Sequence, residues 1–416
     1  MTAFTDAQVL LTLAGLTYRG FHDVLPGEPH DVIVSGALLD GLQTLPPVKN
    51  DWHLAWGPVT SRGSREVIDT NAMYVVRHAR ERHRYVVAIR GTNPISASDW
   101  LFGDFWVATT VPWPYAGDGA AISASTALGL GALQDMRART PPASASSTAA
   151  SLIGRAVIAL TRAGDAVRSR ADATLEASTS RFSAWLDDLA ARWRDGAAHD
   201  DGLKARLAAA LAGPRVLPES LRPRPGAAGG ADTDLLTFLA SRAAEGDTPL
   251  DVTVTGHSKG AALAQTVALW LREALDAPDE RWDAGRGARV GCHVFAGPTP
   301  GNATFAARID RMLGSRHQHV RNRHDIVTHA WQADELREIP ALYGSRTALF
   351  KPVVTAIVRD VEPLEYRHAR SGVRMIEGRL DPGRGFALEF VHQHLDAYLA
   401  ALDLHAHGLR ALTFFL

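Results

Sequence analysis

Apolar residues along this chain alternate between short strand-like runs and longer stretches with helical spacing. Buried strands are predicted at residues 85–89, 252–255, 289–295 and 319–321, where apolar and β-branched residues follow one another. Elsewhere apolar positions recur every three or four residues, as at Leu263, Val267 and Trp270, which predicts helices. Strands that alternate with helices indicate an α/β protein with a mostly parallel central sheet.

The composition changes over residues 140–230, which are rich in Ala, Arg, Ser and Asp and have proline-rich edges. Two stripes with helical spacing lie in this block, one of Phe182, Trp185, Leu186, Leu189 and Trp193 and one of Leu203, Leu207 and Leu211. Because strand patterns resume at Val252, we predict a helical insertion at 140–230 within a single domain spanning residues 1–416. We expect the leucine stripe to cap the rim of a binding pocket. We expect the aromatic stripe to pack on the protein body or on a second subunit, with a lipid interface as the alternative.

Charge, cysteine content and the N-terminus restrict the classes of function. The formal net charge of -1 gives no reason to expect a nucleic-acid partner. The single cysteine, Cys292, excludes an internal disulfide, and we expect it to pack in the core. The N-terminus has no positively charged region and carries Asp6 before its apolar stretch, which predicts an amphipathic helix and not a signal peptide. No uninterrupted apolar run reaches the roughly 18 residues of a membrane span, so we expect a cytoplasmic protein, with non-classical export as the alternative.

The most informative motif is Gly256-His257-Ser258-Lys259-Gly260, which follows a β-branched run and precedes an alanine-rich helical pattern. A serine in such a strand–turn–helix context sits on a sharp, strained turn that exposes its hydroxyl as a nucleophile. The positions two before and two after the serine must be almost free of side chain, and Gly256 and Gly260 meet this requirement. The motif therefore predicts a nucleophilic serine at position 258.

A serine nucleophile needs a histidine base, and the histidine needs a carboxylate that orients it. In α/β-hydrolases both follow the serine along the chain. Asp325 fits the acid because it follows a predicted strand, while Asp334 and Asp360 remain alternatives. The C-terminal region offers His392 and His394, which would point to the same side of an extended loop, so the spacing alone does not choose between them.

Histidines two positions apart on a strand could also hold a metal ion, as at 317 and 319 or 392 and 394. The sequence places no third ligand beside either pair. We therefore expect hydrogen-bonded or exposed histidines and predict neither a metal nor a cofactor.

Together these motifs resemble those of a bacterial member of the class 3 lipase family. The resemblance covers most of residues 80–135 and 235–402, and the matching pieces occur in the family's order. They are Ile89-Arg90-Gly91-Thr92, residues 100–104, 256–260, 296–302 and 322–327, and Gln393-His394 shortly before Tyr398. The resemblance implies an α/β-hydrolase fold with Ser258 as nucleophile, Asp325 as acid and His394 as base, and with His392 as the nearer alternative base.

The resemblance also implies an oxyanion hole formed by Thr92 and by the backbone N–H of Lys259, and a lid at residues 93–104 with hinges at Gly91 and Gly103. Many family members carry Leu at the position of Lys259. They also usually lack a helical block as long as 140–230, so this block bears on substrate access and chain-length preference.

The activity implied is that of a serine carboxylic-ester hydrolase similar to triacylglycerol lipases, acting on an ester or lipid through an acyl-enzyme. A phospholipase A or a feruloyl-type esterase is the alternative on the same fold, because the triad does not distinguish them. A catalytically silent interaction protein, docking through residues 140–230, is the alternative from another class. Transient contact with a lipid interface and the oligomeric state stay open at the level of sequence.

Overall fold

A computed structural model describes most of the chain, namely residues 4–19, 30–62, 69–91, 107–138, 232–278, 280–348 and 350–410. Three predicted features fall outside these described residues: the oxyanion donor Thr92, the lid at 93–104 and the helical insertion at 140–230.

Within these described ranges, nine strands form two sheets. The strands are β1 (Trp52–Arg62), β2 (Asp69–His78), β3 (Arg84–Ile89), β4 (Thr110–Pro112), β5 (Ala121–Ser123), β6 (Asp251–His257), β7 (Arg289–Phe295), β8 (His317–Asn322) and β9 (Val373–Ile376). The large sheet has seven strands in the order β1-β2-β3-β6-β7-β8-β9, and β4 pairs with β5 separately. Strands β1 to β3 pair antiparallel, and every pairing from β3 to β9 is parallel. The prediction of a mostly parallel α/β sheet is therefore confirmed.

The described α-helices lie before, between and after these strands. They are α1 (Asp6–Leu16), α2 (His30–Thr44), α3 (Ala124–Asp135), α4 (Leu235–Glu245), α5 (Lys259–Ala274), α6 (Ala303–Leu313), α7 (Ala333–Leu336), α8 (Ser345–Ala348), α9 (Lys351–Val361), α10 (Phe386–Val391) and α11 (Ala397–Ala401). A π-helix at His392–Asp396 connects α10 to α11.

Two apolar cores cover the two faces of the large sheet. Alternate strand residues point to opposite faces, so Val87 and Val254 belong to the core under α4, α5 and α6, while Val86 and Ala88 belong to the core under α1 and α11. A third core packs the loop after β8 against α9. The carboxyl ends of the parallel strands meet at one edge of the sheet, which is where open α/β sheets bind ligands.

Helix α1 corrects one prediction. It forms where the sequence predicts a helix, but its residues 10–16 are all buried, so it is a core helix and not an amphipathic one. It packs on β6 and β7. The leucines at positions 10, 11, 13 and 16 cover one broad side of the helix, and the remaining side carries the small residues Thr12 and Gly15, which are buried too.

The described residues that flank the predicted insertion on either side meet. The backbone N–H of Ala138 donates to the carbonyl oxygen of Thr233 and the reverse bond also forms, each at 3.0 Å. The indole N–H of Trp56 donates to the same Thr233 oxygen at 2.9 Å. The chain thus leaves and re-enters the described fold at one point, so removal of an insertion here would not separate any two strands. One domain with an insertion at 140–230 stays a prediction.

Within the described residues, no helix combines the length and the apolar character needed to cross a membrane.

Candidate active site

The predicted nucleophile lies on a strained turn, the nucleophile elbow, at the carboxyl end of the central strand β6. Strand β6 ends at His257, α5 begins at Lys259, and Ser258 between them has φ 62° and ψ -133°. The turn is tight because a Cβ atom on Gly256 would overlap the backbone of Gly260, and one on Gly260 would overlap the backbone at the end of β3. These two glycines therefore let the serine occupy a conformation that costs a non-glycine residue about 1–3 kcal/mol.

Ser258, His394 and Asp325 form a continuous hydrogen-bonded chain. Ser258 Oγ lies 2.9 Å from His394 Nε2, and His394 Nδ1 lies 3.0 and 2.9 Å from the two carboxylate oxygens of Asp325. All three side chains are buried. Because Nδ1 faces a carboxylate it carries the proton, and Nε2 is left as the acceptor of the serine hydroxyl. Residues separated by up to 136 positions in the sequence thus meet in the arrangement that general-base activation of a serine requires.

Asp325 is held by donors other than the histidine. It follows β8 by three residues, and Val327 N–H in the next turn donates to its Oδ1 at 3.0 Å. The hydroxyl of Tyr398 donates to its Oδ2 at 2.8 Å and itself accepts the N–H of Asn322 at 2.9 Å. Burial and the adjacent Asp325 charge hold the pKa of Tyr398 well above its usual value, so this hydroxyl stays a donor.

His394 lies on a helix and not on the extended loop that the sequence predicts. The π-helix His392–Asp396 carries it, and such single-turn π-bulges occur often at functional sites. Residues that are two positions apart on a helix point to different faces. His392 accordingly has another partner, Asp396 Oδ2 at 3.3 Å, while His394 meets Ser258. The geometry thus brings His394, and not His392, to the serine.

The imidazole of His394 is packed between two aromatic rings. The ring of Phe390 stacks on it at 5.7 Å between centroids, with 22° between the planes, and the ring of His257 lies at 4.7 Å. His257 Nε2 also donates to the backbone carbonyl oxygen of His394 at 2.9 Å. Burial first, and the neighbouring His394 second, hold the pKa of His257 well below its usual value, so His257 is neutral. Sequence reasoning assigns no role to His257 or Phe390, and for Phe390 no local motif could have done so.

The alternative acids have other partners. The largely exposed carboxylate of Asp334 pairs with Arg337 and Arg367, each at 3.2 Å. Asp360 pairs with its neighbour Arg359 at 3.1 Å. The apolar run at residues 353–358 could have been a strand ending just before Asp360, but it lies in helix α9, so Asp360 does not follow a strand of the sheet.

The oxyanion donors are only partly described. Lys259 is the first residue of α5, so its backbone N–H belongs to the first turn, whose amides have no acceptor within the helix. The partial positive charge at this helix N-terminus favours a negative oxygen beside Ser258. Gly91, the residue before Thr92, lies at the end of β3, and β3 pairs in register with β6, with Ile89 opposite Gly256.

A small cavity lies beside the elbow. It is lined by Ser125, Thr126, Lys259, Ala262, Leu263, Pro298, Thr299 and Trp331. Most of this lining is apolar carbon, with hydroxyl groups from α3 and from Thr299. The cavity volume of about 10 Å³ leaves room for a single water molecule, so this cavity alone does not define an acyl pocket.

The paired histidines that could hold a metal ion are engaged in hydrogen bonds. His317 contacts the carbonyl oxygen of Ser371 at 2.8 Å and the amide oxygen of Gln265 at 3.3 Å. His319 Nε2 accepts the N–H of Gly297 at 3.2 Å. Among the residues that the structure describes, no three His, Cys, Asp or Glu side chains are grouped so as to hold a metal ion. Cys292 is a buried free thiol in the core, as predicted.

The chain is similar to several known lipases. Residues 178–335 match the family model of class 3 lipases. A segment of 84 residues is 42% identical to phospholipase A1-II 6 of Oryza sativa subsp. japonica, which is 20% of this chain and 20% of that protein. The crystal structure of M37 lipase superposes with a TM-score of 0.66 and 23% sequence identity, covering 97% of this chain and 94% of that one. The likeness to M37 lipase supports the fold, and the family match supports the type of enzyme. These comparisons confirm the predicted resemblance to class 3 lipases and the α/β-hydrolase fold.

Proposed function

We propose that the protein hydrolyses carboxylic esters of lipids through an acyl-enzyme, with Ser258 as nucleophile, His394 as base and Asp325 as the orienting acid. The observation that carries the proposal is the unbroken chain of hydrogen bonds from Ser258 Oγ through His394 to the Asp325 carboxylate. The serine lies on a strained elbow, and the family match over residues 178–335 supports the same chemistry.

In acylation, Ser258 Oγ attacks the ester carbonyl carbon while His394 Nε2 takes the hydroxyl proton. The carbonyl π electrons move onto its oxygen, and the imidazolium is stabilised by Asp325. Collapse of the tetrahedral intermediate expels the alcohol, which receives the proton from His394. The acyl group is now bound to Ser258 as an ester.

In deacylation, a water molecule takes the place of the alcohol. His394 removes a proton from it as it attacks the acyl carbon, and collapse returns that proton to Ser258 Oγ and releases the carboxylic acid. The hydroxyl of Tyr398 and the N–H of Val327 hold the Asp325 carboxylate in place beside the imidazole in both half-reactions.

We propose that the backbone N–H of Lys259 and the N–H and hydroxyl of Thr92 stabilise the oxyanion of both intermediates. Removal of one such donor typically slows turnover by about 10²–10³-fold. The first-turn position of Lys259 in α5 supports its half of the proposal.

For the substrate, we propose a lipid ester such as a triacylglycerol. A phospholipid hydrolysed at one acyl ester is the second candidate, and the similarity of an 84-residue segment to a protein named phospholipase A1-II 6 favours it. The triad treats both esters alike, so the groups that contact the acyl chain and the headgroup decide between them.

Initial rates on a series of p-nitrophenyl esters from acetyl to palmitoyl, with emulsified triacylglycerol and phospholipid vesicles beside them, test the proposal. We expect saturable hydrolysis by the wild-type protein and a preference for one lipid class. The matched control is folded Ser258→Ala, which removes only the nucleophilic oxygen. A folded wild-type protein inactive on every ester, or a Ser258→Ala variant that keeps a tenth of the wild-type rate, contradicts the proposal.

A further inference from the structure

We infer that Tyr18 is a positioning residue for the oxyanion hole, and that its hydroxyl sets the spacing between the nucleophile elbow and the end of β3. The inference rests on the proposed function. Tyr18 lies just after α1, far in sequence from Ser258, from His394 and from the segment 178–335 that matches the lipase family.

The hydroxyl of Tyr18 joins a backbone group at the end of β6 with one that lies two residues after the end of β3. It donates to the carbonyl oxygen of His257 at 3.1 Å and accepts the N–H of Gly91 at 3.2 Å. His257 directly precedes Ser258, and Gly91 directly precedes Thr92. One hydroxyl therefore connects the residue before the nucleophile with the residue before the proposed oxyanion donor.

The space around this hydroxyl is closely packed. A Cβ atom on Gly91 would lie 2.5 Å from the Tyr18 hydroxyl oxygen and 2.6 Å from the His257 carbonyl oxygen. Tyr18 is completely buried, and its ring lies under the guanidinium of Arg90 at 5.8 Å. The position of the hydroxyl is thus fixed from several sides, and both backbone groups that it contacts are buried with it.

The hydroxyl keeps its proton under working conditions. Burial holds the pKa of Tyr18 above its usual value, and the nearby Arg90 charge offsets only part of this effect. Tyr18 is therefore a permanent donor to His257, and its oxygen a permanent acceptor for Gly91. A phenylalanine at this position would keep the ring but leave a buried carbonyl and a buried N–H without this partner, and each would shift toward another one.

A small shift here affects catalysis because oxyanion donors act only at the correct distance. Donors must lie about 2.7–3.1 Å from the developing oxyanion, and a misplacement of about 1 Å can cost roughly 10²-fold in rate. Ground-state binding of the acyl chain depends on other side chains. Loss of the Tyr18 hydroxyl should therefore lower kcat and leave KM nearly unchanged.

The test compares Tyr18→Phe with Tyr74→Phe. Tyr74 is also a buried tyrosine packed against α1, and its hydroxyl donates to the Leu13 carbonyl oxygen at 2.6 Å, but it makes no hydrogen bond to the elbow or to Gly91. Both variants lose one buried hydroxyl. We expect Tyr18→Phe to lower kcat by about 10- to 100-fold with KM changed less than about threefold. Tyr74→Phe should lower only the free energy of unfolding.

A boronic acid inhibitor supplies a readout that a purely structural role would not change. Ser258 Oγ adds to the trigonal boron while its proton passes to His394 Nε2, which gives an anionic tetrahedral boronate with one boron hydroxyl in the oxyanion hole. The inhibition constant should rise in Tyr18→Phe by the same factor by which kcat/KM falls, and should be unchanged in Tyr74→Phe.

Equal kcat and equal boronate inhibition in wild type and folded Tyr18→Phe overturn the inference, as does an equal loss of kcat in Tyr74→Phe. If Tyr18→Phe does not fold, incorporation of mono-, di- and trifluorotyrosine at position 18 keeps the hydroxyl and changes its acidity. In that series kcat should change with the acidity of the hydroxyl, and a constant kcat overturns the inference. A wild-type protein without esterase activity and without boronate binding would instead contradict the proposed function itself.

Discussion

Mild acidification should destabilise this protein, because several histidines are buried in the neutral form. Burial is the largest cause that lowers the pKa of His257, His293, His319 and His368, and it lowers that of His293 to about 4. In the unfolded chain each of these side chains has a pKa near 6.5. Between the two values the unfolded state binds more protons than the folded state, so the free energy of unfolding falls as pH falls below about 6.5.

The size of the effect follows from the same linkage. For a histidine that stays neutral in the folded state, lowering the pH from 7.0 to 5.5 costs about 1.3 kcal/mol. The four histidines together cost roughly 5 kcal/mol, which is a large share of the 5–15 kcal/mol typical for a folded protein.

Urea denaturation followed by circular dichroism at pH 7.0, 6.5, 6.0 and 5.5 measures this loss. Two variants separate the buried histidines from general acid effects. His293→Gln should reduce the loss between pH 7.0 and 5.5 by about a quarter, whereas replacement of the exposed His53 by Gln should leave it unchanged. A free energy of unfolding that differs by less than about 1 kcal/mol between pH 7.0 and 5.5 would refute the reasoning.

Three further predictions concern the proposed site and the insertion. His394→Ala should slow ester hydrolysis by roughly 10⁶-fold, about as much as loss of the serine. His392→Ala removes a contact to Asp396 and should keep activity within about tenfold. If kcat/KM falls more in His392→Ala than in His394→Ala, the base is His392. Asp325→Asn should lower kcat by about 10⁴-fold because the imidazole loses the partner that fixes its tautomer. If Asp325→Asn turns over at a near-normal rate and Asp360→Asn is inactive, the acid is Asp360. Replacement of residues 140–230 by a short Gly/Ser linker should give a folded protein, because Ala138 and Thr233 already pair. It should alter the dependence of the hydrolysis rate on acyl chain length. An unchanged dependence from acetyl to palmitoyl esters contradicts a role of this block in acyl preference.

The elements around the nucleophile could be predicted because their signals are local. Strand β7 has the bounds that its apolar run predicts, and the glycines two before and two after Ser258 mark the elbow in any chain. The order of acid and histidine after the serine then restricts the candidates to a few residues. Asp325 could be preferred because a strand ends just before it.

Other features depend on contacts that no local pattern contains. The choice between His392 and His394 depends on the π-helix that carries them, and an irregular helical turn of five residues has no distinct periodicity. The contact of Tyr18 with His257 joins residues 239 positions apart. The complete burial of residues 10–16 of α1 also depends on packing that the pattern does not contain, because Thr12 and Gly15 lie on the side without leucines and are buried as well.

The most direct test of the central claim is the reaction of the protein with a fluorophosphonate, followed by intact-mass measurement and peptide mapping. The account predicts one adduct per chain, located on Ser258, because His394 Nε2 accepts the proton of that hydroxyl. Ser258→Ala should form no adduct, and folded His394→Ala should react far more slowly. A folded wild-type chain that forms no adduct, or an adduct on another serine that persists in Ser258→Ala, would contradict the account.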